Sequence, residues 1–264
     1  MNFGLIVIGD EILSGKRQDK HMAKAVELLS ARGLQLAWAR YVGDERERIT
    51  DVLRQALSSG DAVFSCGGIG ATPDDHTRQA AAAALGVPLE LHPQARELIT
   101  QRMREMAADK GVAFDPDSPD NLQRLNMGMF PRGAQIIANP YNRIPGFSVG
   151  EVHFLPGFPV MAHPMMEAVL DTRYAALHGT QRQREHSVIV MGAMEAVLTP
   201  LMEAVEAAHE RVRVFSLPSV DHPQWGRHVE LGVKGPAAVV DAAFDDLRAG
   251  LAKLQAKLGP ELVR

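Results

Sequence analysis

The sequence predicts an α/β fold, with a doubly wound, mostly parallel sheet over residues 1–178 and a small α+β domain over 186–264. Three observations predict it. The first third alternates short apolar runs with amphipathic helical stretches, the pattern of β-α-β units whose parallel strands are covered by helices. A glycine-rich turn stands between the third apolar run and the helix after it, where open α/β sheets bind ligands. Beyond residue 185 the order becomes β-α-β-β-α, with polar and apolar residues alternating as in half-buried strands.

"FGLIVIG" (3–9) is apolar throughout, as in a strand buried on both faces. Met22, Ala25, Val26 and Leu29 recur at helical spacing within Asp19–Arg32, and Gly33 stops that helix. "LQLAWARYV" (34–42) is a second strand, and Asp44 is the expected cap of a helix bearing Ile49, Leu53, Ala56 and Leu57. "DAVFSC" (61–66) is a third strand, followed by the glycine turn and an alanine-rich helix that ends at Gly86. A long helix over 93–110 opens at Pro93, and 111–128 is irregular with room for a short helix. "GAQIIANP" and "EVHFLPG" are two more strands around a turn-rich "YNRIPGFSVG", and a helix over 159–177 closes the domain. "HGTQRQRE" (178–185) has a linker's composition. After it, "HSVIVMG" is a strand, Thr199-Pro200 cap a helix, "RVRVFSL" and "RHVELGVKG" are strands, and a last helix spans 236–258.

Composition narrows the function classes. At 264 residues, 46% hydrophobic and 23% charged, the chain has the balance of a soluble globular protein. A net charge of −4 supplies no basic field for nucleic acid or membrane, and the small C-terminal domain carries no basic-aromatic surface pattern to offer RNA a site. The single cysteine, Cys66, excludes an intrachain disulfide framework and fits a reducing cytoplasm. Cys66 has no obvious activating partner and reads as a small core residue. The N-terminal apolar run is short and meets Asp10-Glu11 at once, unlike a signal peptide or membrane span.

The chemistry gathers in three turns. In "CGGIGATPDD", Gly67, Gly68 and Gly70 let a ligand approach the backbone closely. Thr72, Pro73 and Asp75 fit the N-cap, N1 and N3 positions of a capping box, so Asp74 and Asp75 have a purely structural reading as helix caps. Capping does not require three preceding glycines. Two carboxylates beside a phosphate-receiving loop would repel the phosphate unless a divalent cation lay between them, and Mg²⁺ is commonly held by one or two carboxylates plus substrate phosphates. Asp75 and Asp74 are therefore the candidate metal ligands, and with Asp10 the candidate catalytic groups. The first turn, "IGDEILSGKRQDKH", adds Glu11, Ser14, Gly15, Lys16 and Asp19 as ligand-binding candidates, with Arg17 a further phosphate contact and Arg143 a weaker one. "FLPGFP" adds Pro156 and Gly157. Each of these two turns also reads as an ordinary polar loop or β-to-α turn.

Taken together, "IGDEILSG", "GGIGATPDDHT", "NPYNRIPGF" and "LPGFP", in that order, resemble the molybdopterin-binding (MogA/MoaB-like) domain family over residues 1–178, most nearly the N-terminal part of CinA, the competence/damage-inducible protein A, and the MoaB-like domain of FAD synthase. The resemblance implies a Mg²⁺-associated site at Asp75, with Co²⁺ or Mn²⁺ as alternatives, and glycines that meet a pterin phosphate or nucleotide pyrophosphate. It implies hydrolysis of a compound such as ADP-ribose or FAD, or else non-hydrolytic binding of molybdopterin, in a homo-oligomer. The chain departs from the pattern at Ala71, often proline, and at His21, often asparagine. It also lacks the glutamate that often follows "PGxP", which is the main support for a third reading as an interaction scaffold. No amidase or nucleotidyl transferase domain follows, so nicotinamide-mononucleotide deamidation and FAD synthesis are not expected.

Overall fold

A computed structural model describes residues 1–179 and 183–264 and divides the chain into two compact units, Met1–His178 and Gly179–Arg264. Residues 180–182 of the polar stretch read as a linker lie outside the described residues.

Unit 1 contains β1 (Phe3–Ile8), α1 (Asp10–Leu13), α2 (His21–Ser30), β2 (Leu36–Val42), α3 (Arg46–Ser59), β3 (Ala62–Cys66), α4 (Thr77–Leu85), β4 (Leu89–Leu91) and α5 (Pro93–Asp109). It continues with α6 (Pro119–Leu125), β5 (Met129–Pro131), β6 (Gln135–Ile137), β7 (Gly146–Val149), β8 (Val152–Leu155) and α7 (Pro159–Arg173). The main sheet has the order β2-β1-β3-β8-β7-β6. Its first four strands are parallel, and β7 and β6 extend it antiparallel. The apolar run of β1 feeds both faces. Phe3, Leu5 and Val7 pack with α2 and α7, while Ile6 and Ile8 pack with α3, α4 and α5. The second face holds a stack of Phe130, Phe147 and Phe154, with ring centroids 4.5 and 4.4 Å apart. This three-layer core brings the carboxyl ends of β1, β3 and β8 side by side.

Unit 2 contains β9 (Gln183–Met191), α8 (Glu195–Ala208), β10 (Arg213–His222), β11 (Gly226–Pro236), α9 (Ala237–Lys253) and β12 (Lys257–Val263). Its antiparallel sheet, ordered β10-β11-β9-β12, makes it a split β-α-β unit. Apolar residues of β9, β10 and β11 meet α8 and α9 around Phe244, Leu247 and Leu251.

Several sequence expectations need correction. Strand β7 lies inside the stretch read as a turn. There Gly146 disguises the strand pattern, yet it is required, because a Cβ would sit 2.4 Å from the Phe154 carbonyl oxygen. The short β4–β5 pair was not foreseen. Helix α9 stops at Lys253 rather than 258: Gln255 adopts a positive φ of 51°, and the chain turns back as β12 to pair with β9. Helix α8 begins at Glu195, before the expected Thr199-Pro200 cap. Thr199 instead donates its hydroxyl to the Glu195 carbonyl at 2.9 Å, and Pro200 lies within the helix. Strand β9 also takes in residues 183–185.

Candidate functional site

The glycine turn leaves β3 and is fastened from both sides. Gly67 N–H donates to the Leu155 carbonyl at 3.0 Å, binding the turn to β8. Thr77, fully buried, donates its hydroxyl to the Gly67 carbonyl at 2.9 Å and its amide to the Gly68 carbonyl at 3.0 Å. Gly67 has φ 111°, and a Cβ there would stand 2.2 Å from the Ile8 carbonyl oxygen, so only glycine lets β1 and β3 end this close together.

The expected capping box is not formed. Helix α4 starts at Thr77, beyond Pro73 and both aspartates. Asp75 instead closes the turn: its Oδ2 accepts the Thr72 amide at 2.8 Å and the Thr72 hydroxyl, and its own amide donates to the Thr72 carbonyl at 3.0 Å. Gly70 makes room for that carboxylate, since a Cβ there would lie 2.5 Å from Asp75 Oδ2. Asp75 Oδ1 makes no hydrogen bond among the described residues.

Arg78 supports the turn from below, a role the sequence reading missed. Only 4% exposed, it donates to the Gly70 carbonyl at 2.5 Å and to the Asn126 carbonyl, while its Nε has no partner among the described residues. Burial pushes its pKa down, and the Asp75 charge opposes the shift. A run of charged residues after a loop does not distinguish a buried arginine from an exposed one.

Asp44 is not the cap of α3 either. Its Oδ2 accepts the Asp10 amide at 2.9 Å, and Asp10 Oδ1 accepts the Asp44 amide at 3.2 Å, so the ends of β1 and β2 brace each other. Burial, then the charges of Asp10, Glu11 and Asp74, hold the Asp44 carboxyl above its usual range. Asp19 serves structure: its two oxygens accept the amides of His21 at 2.7 Å and Met22 at 3.1 Å, and Oδ2 also accepts the Tyr41 hydroxyl at 2.8 Å. Burial raises its pKa, but these bonds together outweigh that and hold it low.

The third turn is tied to α2 by His21, whose Nε2–H donates to the Gly157 carbonyl at 3.1 Å. Histidine thus supplies the side-chain donor that asparagine would offer at this position. A fourth segment, "NPYN", is folded around buried Asn139, whose Nδ2 donates to Asn142 Oδ1 at 2.8 Å and to the Ile144 carbonyl at 2.9 Å. Arg143, a candidate phosphate contact, pairs with Glu105 at 2.9 Å instead.

These turns enclose a cleft of about 730 Å³ at the carboxyl ends of β1, β3 and β8. Of the sequence-predicted residues, Glu11, Lys16, Gly67, Gly68, Gly70, Thr72, Asp74, Asp75, Pro156 and Gly157 line it, as does Arg17. Asp10, Ser14, Gly15 and Asp19 are not among its lining residues. Asp44, Asn139, Asn142 and Phe158 line it unforeseen. The cleft therefore offers bare backbone and both signs of charge.

The family model described as "Probable molybdopterin binding domain" matches residues 4–176. The chain belongs to this family. It is 31% identical over 247 residues to a CinA-like protein of Anaeromyxobacter sp. (strain Fw109-5), covering 90% of this chain but only 56% of that protein. A protein of Pyrobaculum calidifontis is 30% identical over 92% of this chain and 93% of its own length. Among solved structures, the CinA protein of Thermoplasma acidophilum, of unknown function, superposes with a TM-score of 0.54 at 29% identity, covering 64% of this chain and 96% of that one. This family member is thus CinA-like through its first unit. Among the described residues no helix is long and apolar enough to cross a membrane.

Proposed function

We propose that the cleft binds a phosphorylated nucleotide or pterin and, with a divalent cation, hydrolyses a nucleotide pyrophosphate such as ADP-ribose or FAD. The observation that carries this reading is one cleft, at the ends of three parallel strands, lined by both the glycine-loop backbone and the carboxylates Glu11, Asp44, Asp74 and Asp75. Phosphate suits the bare backbone and the positive charge of Lys16 and Arg17. The carboxylates at the same cleft require a cation to accompany it.

The donor set fits a cation shared with substrate. Among the described residues no group of three or more His, Cys, Asp or Glu side chains is placed to hold a metal alone. Asp74 is exposed and Asp75 keeps Oδ1 unbonded, so these two would hold Mg²⁺, Mn²⁺ or Co²⁺ while phosphate oxygens complete the shell. A cation bound there supplies charge neutralisation for the leaving phosphate and a water of lowered pKa. Thr72 orients Asp75 through two hydrogen bonds, and Arg78 holds Gly70 in place beside it. Asp44, fixed by the Asp10 amide and lining the same cleft, is the carboxylate left to accept a proton from water.

Incubating the protein with ADP-ribose or FAD and each metal, then resolving AMP by chromatography, tests this reading. AMP is expected from the wild type and none from Asp75→Asn, whose circular dichroism should match the wild type. Equal turnover in Asp75→Asn removes Asp75 from the mechanism. A second reading, molybdopterin binding without hydrolysis, draws on the match of residues 4–176 to a probable molybdopterin binding domain. No AMP from any substrate–metal pair, together with molybdopterin binding, would establish it.

A further inference from the structure

Several apolar side chains line the cleft, and one of them is exposed. Phe158, in the turn between β8 and α7, lines the cleft yet remains 55% exposed. Its backbone is committed, because its carbonyl accepts the amides of Met161 at 3.0 Å and Ala162 at 2.9 Å and so opens α7. The ring is therefore displayed from a fixed anchor rather than spent on the core. An exposed aromatic ring on a cleft wall presents a face on which a planar ligand can stack. Arg17 lies over one face of it, with Cζ 6.0 Å from the ring centroid. The Arg17 amide donates to the Glu11 carbonyl at 2.9 Å, and its guanidinium, 4.0 Å from the Glu11 carboxylate, is still 65% exposed. An aromatic ring and a guanidinium plane therefore share one part of the cleft, and both remain largely exposed.

We propose that Phe158 and Arg17 form a stacking shelf for the base of a nucleoside phosphate whose phosphate rests on the glycine turn. This inference rests on the phosphate reading of the cleft. Every nucleobase offers a π face, so an aromatic ring accepts it without hydrogen-bond readout. Guanidinium planes stack on such rings and add charge attraction. The shelf predicts that this protein prefers a base-bearing phosphate over a sugar phosphate of equal charge.

Calorimetry with Mg²⁺ and three probes tests it: pyrophosphate, ribose 5-phosphate and AMP. The wild type should bind AMP roughly 5- to 150-fold more tightly than ribose 5-phosphate, the range expected for one stacked base. Phe158→Ala should bring that ratio to near one and leave pyrophosphate affinity unchanged, while Phe158→Trp should keep the preference. Because the ring is exposed, neither variant threatens folding. Pyrophosphate binding with no base preference in the wild type, or a preference that survives in Phe158→Ala, overturns the shelf alone. A wild type that binds none of the probes overturns the phosphate reading and the shelf with it.

Discussion

A buried histidine gives unit 1 a calculable dependence on pH. His153, fully buried in β8, lies in a chain of hydrogen bonds: Nδ1 to the Ser148 hydroxyl at 2.8 Å, and Nε2 to the Tyr174 hydroxyl at 2.6 Å. Tyr174 donates to Glu151 Oε2 at 2.5 Å, so its oxygen accepts from His153 Nε2–H, and Nδ1 accepts from Ser148. This arrangement satisfies both nitrogens of a neutral ring. Burial, helped by the charge of Arg173, lowers the His153 pKa from 6.5 to about 3. Between those values the unfolded chain binds a proton that the folded chain does not, so stability falls as pH drops below 6.5. Taking RT ln(1 + 10^1.5), the loss from neutral pH to pH 5 is about 2 kcal/mol. His21 and His163 are also lowered, mainly by burial, and add losses of the same sign. The quantity to measure is therefore a difference between variants. Urea unfolding at pH 7 and pH 5, followed by Trp38 fluorescence in a Trp225→Phe background, should show a pH loss about 2 kcal/mol smaller in His153→Gln than in its parent. Equal losses in the two proteins would refute the neutral-ring assignment.

Other outcomes follow from local geometry. Gly67→Ala should cost at least about 2 kcal/mol in chemical denaturation, since the added methyl meets the Ile8 carbonyl at a strained φ. Gly15→Ala, at φ 73° but with nothing within 4 Å, should cost only about 1–2 kcal/mol, and equal costs would argue against steric closure at Gly67. Arg78→Met strips the Gly70 and Asn126 carbonyls of a buried cationic donor and should lower stability by about 2–4 kcal/mol; a melting temperature within a degree of wild type would show that the clamp contributes nothing.

Parts of the structure that depend on one local requirement could be read from the sequence. A strand buried on both faces has to be apolar throughout, so β1 announced itself. A backbone that two strand ends approach has to be glycine, so Gly67 marked the cleft. Features that depend on a distant partner were hidden. Asp44 looks like a helix cap because its true partner, Asp10, is 34 residues away. Asp75 has a capping box's spacing and hydrogen-bonds to Thr72, but the four-residue turn it closes lies outside the helix. Strand β12 kept a helical rhythm that the left-handed Gln255 interrupts, and no residue type there demands that conformation. Arg78 and Phe158 invert the usual rule, a cation inside and an aromatic outside, which composition alone does not foretell.

The turns around the cleft are fastened to one another: Asp10 to Asp44, Gly67 to Leu155, Thr77 to Gly67, and His21 to Gly157. Divergence at this site is therefore constrained to be concerted. A substitution tolerated in one turn alters the footing of the next, so paired changes should depart from the sum of single ones by 0.5–3 kcal/mol in either direction, as for residues in direct contact. His21 is a small instance: its role is to donate to one carbonyl, so a replacement that keeps a donor there should be tolerated better than one that removes it. Lineages of such proteins would then change ligand by exchanging outward-facing side chains, such as Phe158, far more readily than by redrawing the loops that carry them.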